Sequence, residues 1–140
     1  MTPPRTVVLD NEVVQALRSN SHPKHAHVIA HVQVAAQRKR TAIPVDVVVP
    51  TAVRAEAGWH RRAPTAALIN QLRIADTTLD TASANVAGEL VAQLGVSVAD
   101  AHIGATVRAV SEQGAVTIIT SDPDDMAAVA DPVPATIVTI

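Results

Sequence analysis

The chain has 140 residues, of which 48% are hydrophobic and 17% are charged, and its formal net charge is −2. This composition supplies enough apolar material for the core of one domain and excludes an intrinsically disordered chain. The absence of cysteine excludes a disulfide framework, a thiolate zinc site and a thiol nucleophile. Trp59 is the one Phe, Tyr or Trp in the chain, which argues against a platform that stacks successive bases.

The charges are distributed unevenly along the chain. Residues 1–73 carry ten of the 11 Lys and Arg and four of the 13 Asp and Glu, whereas residues 74–140 carry Arg108 and nine acids. This asymmetry is compatible with a side that faces a polyanion and a carboxylate-rich side, or with solvated charges that cluster by chance. No apolar run is long enough to span a bilayer, and the N-terminus does not resemble a signal peptide. We therefore expect a cytoplasmic protein without a membrane partner.

Strands and helices alternate along the whole sequence. The β-branched runs that predict strands are Thr6–Leu9, Val45–Val49, a weaker Thr77–Leu79, Val116–Ile119 and Thr136–Ile140. Between them, apolar residues recur at spacings of three and four, as in amphipathic helices. This order predicts an α/β fold, with a central, mostly parallel sheet of about five strands covered by helices on both faces. Residues 1–140 are expected to form a single domain.

Four acidic residues occupy positions that parallel sheets use for ligand binding. Asp10 follows the first strand, Glu56 lies in the segment after Val45–Val49, Asp100 lies at the start of a helix, and Asp122 follows Val116–Ile119. Ligands of open α/β sheets bind beyond the carboxyl ends of the strands, where these acids could converge. Hard carboxylate ligands favour Mg²⁺ or Mn²⁺. Taken singly, each of the three aspartates is more often a helix N-cap than a ligand, and Glu56 is most simply an exposed helix residue.

The motifs around these acids occur in a familiar order. They are Val7-Val8-Leu9-Asp10, Val49-Pro50-Thr51 with Glu56, Val98–Ile103 around Asp100, and Ile119–Met126 around Asp122. The sequence resembles the PIN-domain family, specifically the VapC-type ribonuclease toxins of VapBC toxin–antitoxin pairs. Asn11 departs from the family pattern, in which a small residue commonly follows the first aspartate. Glu56 is the loosest match.

The resemblance implies a metal-dependent endoribonuclease that acts as the toxin of a type II toxin–antitoxin system. Asp10 and Asp100 would hold Mg²⁺ or Mn²⁺, and Asp122 and Glu56 would bind the ion directly or through its waters. A metal-activated water would hydrolyse the RNA phosphodiester and leave a 5′-phosphate and a 3′-hydroxyl. The number of ions stays open, as does the participation of Asp124 or Asp125. The implied partners are an RNA substrate, a VapB-like antitoxin and a second copy of the chain in a homodimer.

Several other residues carry weaker signals. Arg38–Arg40 and Arg61-Arg62 are candidate phosphate contacts, and Trp59 is expected to pack in the core rather than to stack on a base. His22, His25, His27 and His31 resemble a metal cluster, but no nearby acid or cysteine completes a zinc site. His102 lies on a different helix face from Asp100 and receives no role. The competing interpretation of the whole chain is a catalytically silent PIN-like module that binds RNA or protein.

Overall fold

The computed structural model describes residues 5–38 and 45–140. Its five strands are β1 (Arg5–Leu9), β2 (Val45–Pro50), β3 (Ala75–Thr77), β4 (Ala115–Thr120) and β5 (Thr136–Thr139). They form one sheet in the order β3-β2-β1-β4-β5, and every neighbouring pair is parallel. The predicted fold class is confirmed. Strand β3 lies two residues earlier than the predicted Thr77–Leu79.

Seven α-helices lie within the described ranges. They are α1 (Asn11–Arg18), α2 (His25–Arg38), α3 (Thr51–Glu56), α4 (Ala67–Gln71), α5 (Thr81–Leu94), α6 (Val98–Ser111) and α7 (Pro123–Ala130). A short 3-10 turn at Pro64–Ala66 precedes α4. Gly95 ends α5 in the left-handed conformation, and Pro123 opens α7 as its first helical residue. No helix in these ranges is long and apolar enough to cross a membrane.

The connections run outward from the central strand in both directions. From β1 the chain passes through α1 and α2 to β2 on one side, and β4 lies on the other side of β1. Because parallel crossovers are right-handed, connections in opposite directions place their helices on opposite faces of the sheet. The consecutive residues Val7, Val8 and Leu9 are all buried, as expected for a strand covered on both faces.

Helix α6 packs unusually closely against its neighbours. Its Gly104 leaves no room for a methyl group, since an added Cβ would lie 2.6 Å from Leu90 Cδ1 and 2.7 Å from the Val129 carbonyl oxygen. Arg108, one turn further along α6, donates hydrogen bonds to the carbonyls of Gly104 and Val129 at 2.9 and 2.7 Å. It also donates to the Asp131 carbonyl at the end of α7. Arg108, the one Lys or Arg in residues 74–140, thus provides hydrogen-bond donors for the carbonyls at the end of α7.

Candidate functional site

The site is at the carboxyl edge of the sheet, between β1 and β4. Leu9 and Ile119 are paired in register, and the connections reverse direction at this point of the sheet. Such a reversal leaves a crevice that open α/β sheets use for ligands. The first residue beyond β1 is Asp10, whose N–H donates to the Ile119 carbonyl at 3.2 Å. Asp122 follows the last residue of β4 by two positions.

Asp10 lies at the base of the site and is 7% exposed. Its Oδ1 accepts the Asn11 N–H at 2.6 Å, which makes it the N-cap of α1, and its Oδ2 accepts the Thr120 hydroxyl at 2.6 Å. Burial raises the pKa of Asp10, with smaller contributions from the charges of Glu56 and Asp122, while the two hydrogen bonds oppose the change. Asp10 therefore caps α1, as one interpretation of the sequence allowed. It also lies near other acids.

Asp100 occupies the third position of α6, and Ser97 rather than Asp100 caps this helix. It is half-buried, and its pKa rises from 3.8 to about 6. Burial is the largest cause. The remainder comes from the negative charges of Asp10, Asp125, Glu56 and Asp122, in that order. The charges of these four acids therefore all act on Asp100.

Glu56 is exposed at the end of α3, and its carboxylate is held at the site by Asn11. Asn11 Nδ2 donates to Glu56 Oε1 at 2.7 Å, and the Asn11 amide oxygen accepts from Gln15 Nε2 at 2.6 Å. Arg18 donates to the carbonyl of Ala57, which follows Glu56. Asn11, which departs from the family pattern, thus connects Glu56 to α1.

Asp122 is exposed and caps α7 by accepting the Asp125 N–H at 3.4 Å, so the capping interpretation also holds for this residue. The charge of Asp125 raises the pKa of Asp100. The pKa of Asp125 is itself raised, chiefly by Asp122 and to a smaller extent by Asp124. Both Asp124 and Asp125 stay candidates for the site.

The donor set suits a hard divalent cation. Carboxylate oxygens are the ligands that Mg²⁺ and Mn²⁺ prefer, and a cation would relieve the repulsion that raises the pKa of Asp100. In residues 5–38 and 45–140, however, no three His, Asp or Glu side chains converge closely enough to hold an ion as they stand. The acids thus form an open cluster, and holding an ion there requires side-chain rotation.

The predicted phosphate contacts have different environments. Arg61 is engaged with Asp76, at 3.0 Å, and with the Ile74 carbonyl, at 2.6 Å, and its guanidinium lies 4.8 Å from the Trp59 ring centroid. Trp59 is 3% exposed, which confirms that it packs in the core. Arg62 is exposed, and its side chain is free to contact a ligand. Lys39 and Arg40, from the other predicted segment, lie outside the described residues.

His102 is fully buried in α6. Its Nδ1 accepts the N–H of Ala52 in the first turn of α3 at 3.3 Å. Burial lowers the pKa of His102, and the carbonyl of Thr78 and the charge of Asp80 oppose this effect. The neutral imidazole therefore connects α6 to the start of the helix that carries Glu56.

Sequence reasoning missed two residues that organise the site, Thr120 and Asn11. Thr120 accepts the Asp122 N–H at 2.9 Å while donating to Asp10, so one buried hydroxyl connects the two aspartates. Its position at the end of a strand, two residues before an aspartate, was the available signal. For Asn11 the signal was its departure from the family pattern directly after the first aspartate.

The order of the five parallel strands and the two packed helical layers give the chain the fold of a PIN-like domain. A solved structure with this fold is VapC20 of Mycobacterium tuberculosis, described as a sarcin-ricin loop cleaving toxin. The TM-score is 0.57 at 15% sequence identity, over 87% of this chain and 94% of that one. No protein-family model matches the chain, and the search of curated proteins finds no match. The similarity is therefore one of fold.

Proposed function

We propose that this protein is a metal-dependent endoribonuclease and the toxin of a VapBC-type toxin–antitoxin pair. The observation that carries the proposal is the position of Asp100 at the switch point of a VapC-like fold, where burial first and then the charges of four other acids raise its pKa to about 6. Helix capping alone does not explain why four acids surround a half-buried fifth carboxylate. A cluster of this kind is typical of a site that holds a cation.

In this proposal Asp10 and Asp100 hold Mg²⁺ or Mn²⁺, and Glu56 and Asp122 contribute directly or through water. The bound ion would supply a nucleophilic water and neutralise charge on the scissile phosphate. Thr120 keeps one Asp10 oxygen oriented, and Asn11 keeps Glu56 beside the site. Hydrolysis leaves a 5′-phosphate and a 3′-hydroxyl.

The proposed partners follow from the same assignment. The substrate is RNA, with Arg62 as a phosphate contact outside the acidic site, and VapC20 itself is described as cleaving the sarcin-ricin loop. The cognate antitoxin would be a VapB-like protein that covers the acids, with a cation such as Arg next to the carboxylates. A homodimer and a cytoplasmic location belong to the same proposal.

A second candidate is a PIN-like module that binds RNA or protein without cutting. The observation that favours it is that Asp10 and Asp122 already cap α1 and α7, so a structural role explains their presence. This candidate does not account for Asp100, which caps nothing in its own helix.

Cleavage of end-labelled total RNA separates the two candidates. Purified, antitoxin-free protein is incubated with Mn²⁺ or with EDTA, alongside Asp100→Asn. Asp131→Asn is the matched control, because it removes the same charge from an exposed residue at the end of α7. We expect cuts with Mn²⁺ that disappear with EDTA and with Asp100→Asn but persist with Asp131→Asn.

Folding is verified by circular dichroism for each variant. Intact RNA in every lane, with the wild type folded, contradicts the nuclease proposal, and retention of RNA in a filter-binding assay then supports the binding module. Cuts that persist in Asp100→Asn at the wild-type rate contradict the assignment of the site. End mapping of the products identifies the RNA target.

A further inference from the structure

Two histidines on α2 face each other on the surface of the molecule. The Nε2 atoms of His27 and His31 lie 3.0 Å apart, with ring centroids 4.8 Å apart and ring planes inclined by 38°. Because the residues are four positions apart, both rings project from the same face of the helix. The site described above does not use these residues.

The other two members of the histidine cluster are occupied elsewhere. His22 Nε2 pairs with Glu12 at 2.9 Å, and its Nδ1 accepts the Lys24 N–H at 3.1 Å. His25 Nδ1 donates to the Ala16 carbonyl at 2.7 Å. The apparent four-histidine cluster of the sequence therefore resolves into two structural histidines and one facing pair.

The separation of the pair matches the requirement for binding one metal ion. Two nitrogens that each lie about 2.0–2.1 Å from one ion are about 2.9 Å apart at a right angle and about 3.4 Å apart at the tetrahedral angle. The observed 3.0 Å falls within this range. We propose that His27 and His31 form a two-point chelating site for a divalent transition-metal ion such as Zn²⁺, Ni²⁺ or Cu²⁺.

Packing of α2 holds the pair in position. Val28 and Val32, the residues next to His27 and His31 in the sequence, are fully buried in the core. The helix therefore cannot rotate about its axis without exposing apolar surface. His31 is half-buried beside a cavity of about 400 Å³, which Val7 and Ile119 also line. His27 is exposed, so its ring has room to adjust when an ion enters.

The ligand type distinguishes this site from the acidic one. Imidazole nitrogens select borderline transition metals, whereas carboxylates suit Mg²⁺ and Mn²⁺. Before binding, one ring carries its proton on Nε2 and donates it to the other ring. On binding, that proton moves to Nδ1 of the same ring, so that both Nε2 lone pairs can reach the ion. Water completes the coordination.

The test is calorimetric titration of untagged full-length protein with ZnCl₂ in the presence of millimolar Mg²⁺, which keeps the carboxylates occupied. The variants are His27→Gln and His31→Gln. His60→Gln is the matched control, because it removes an exposed imidazole far along the chain. We expect one Zn²⁺ per chain, an affinity at least about tenfold weaker in each pair variant, and no change in the control.

Side-chain NMR of the histidine rings gives an independent readout. We expect the His27 and His31 ring signals to shift with Zn²⁺ while those of His25 and His102 stay in place. The proposal is overturned if His27→Gln and His31→Gln both bind Zn²⁺ with wild-type affinity. It is also overturned if a variant that carries both substitutions binds Zn²⁺ as tightly as the wild type. Circular dichroism at equal protein concentration confirms that the variants are folded.

Discussion

Thr120 and Asp10 are 110 residues apart in the sequence, and the Thr120 hydroxyl donates a 2.6 Å hydrogen bond to Asp10 Oδ2. Both residues are buried, and Thr120 also accepts the N–H of Asp122. This one hydroxyl fixes the ends of the two central strands relative to each other. It also fixes the orientation of the least exposed acid in the site.

Thr120→Val tests this link with little change in side-chain volume. It leaves a buried Asp10 oxygen and the Asp122 N–H without their partner, so we expect a loss of about 1–3 kcal/mol in the free energy of unfolding. Urea denaturation measures the loss. Thr120→Ser keeps the hydroxyl and should retain most of the stability. Wild-type stability in Thr120→Val would contradict the role of the hydroxyl.

Asn11→Asp tests the connection between α1 and Glu56. The change is nearly isosteric but replaces the amide that donates to Glu56 with a repelling carboxylate. We expect nuclease activity to require several-fold more Mn²⁺, because Glu56 leaves its position, while stability changes by less than about 0.5 kcal/mol at this surface.

Gln15→Ala serves as the control, because it removes the contact on the other side of Asn11 without adding charge. Its metal requirement should stay within about twofold of the wild type. An unchanged Mn²⁺ requirement in Asn11→Asp would show that Glu56 is not held by this residue in solution.

Asp100 predicts a pH dependence of stability. Its pKa is about 6 in the folded protein against an ordinary 3.8, so the folded state binds more protons than the unfolded chain between these values. The free energy of unfolding therefore falls as pH rises from about 4 to about 6 and stays low above that. Asp100→Asn removes this loss. We expect the variant to be more stable than the wild type by about 1 kcal/mol at pH 7, after discounting for solvent screening.

Chemical denaturation of both proteins across this pH range provides the measurement. The difference between wild type and variant should vanish below about pH 4, where Asp100 is protonated in both states. A difference that is the same at low and neutral pH would contradict the electrostatic origin. Asp131→Asn should show no such pH-dependent gain.

Gly104→Ala tests the contact between α6 and α7. The added methyl group would meet the Val129 carbonyl, which also accepts from Arg108 and so has little freedom to move. We expect a loss of about 1–3 kcal/mol from overpacking. Gly88→Ala, in the middle of α5 with open space around it, should instead gain about 0.5–1 kcal/mol. Thermal denaturation compares the stability of the two variants. Equal effects of Gly104→Ala and Gly88→Ala would contradict the close packing around Gly104.

Arg61 and Arg62 are neighbours with different predicted roles. Arg62→Ala should weaken the binding of single-stranded RNA and lower the salt slope of binding by about 1, with unchanged stability. Arg61→Ala should destabilise the fold by about 1–2 kcal/mol, because it breaks the contacts to Asp76 and Ile74. Fluorescence anisotropy in the Asp100→Asn background, which we expect to leave the RNA intact, measures binding. Equal effects of the two changes on RNA binding would contradict this division.

The sequence predicted the sheet well because its central strands have apolar side chains on both faces. Runs such as Val45–Val49 have no competing interpretation once helical periods surround them. Strand β3 was misplaced by two residues because it is a short edge strand with exposed side chains. It contains Asp76, a poor strand former, which Arg54 and Arg61 pair at 3.1 and 3.0 Å. Such long-range pairing leaves no periodic signal in the sequence.

The charges of Asp10, Glu56 and Asp122 act on Asp100, but the arrangement of these side chains was not visible in the sequence. Strand ends identify which residues reach the edge of the sheet, whereas side-chain hydrogen bonds determine how they are held. The N–H of Asp125, for example, donates to Asp122 in the first turn of α7. These details arise from tertiary contacts between α1, α3, α6 and β4, and no local pattern encodes them.

The position of β1 at the centre of the sheet has a consequence for biosynthesis. Its two partners begin at Val45 and Ala115, so the apolar strand leaves the ribosome long before β4 exists. At about 5–20 residues per second, β1 waits roughly 5–20 seconds with one edge unpaired. We therefore expect this domain to fold slowly for its size, because its central pairing spans most of the sequence between β1 and β4. During that interval the unpaired apolar edge of β1 is prone to aggregation.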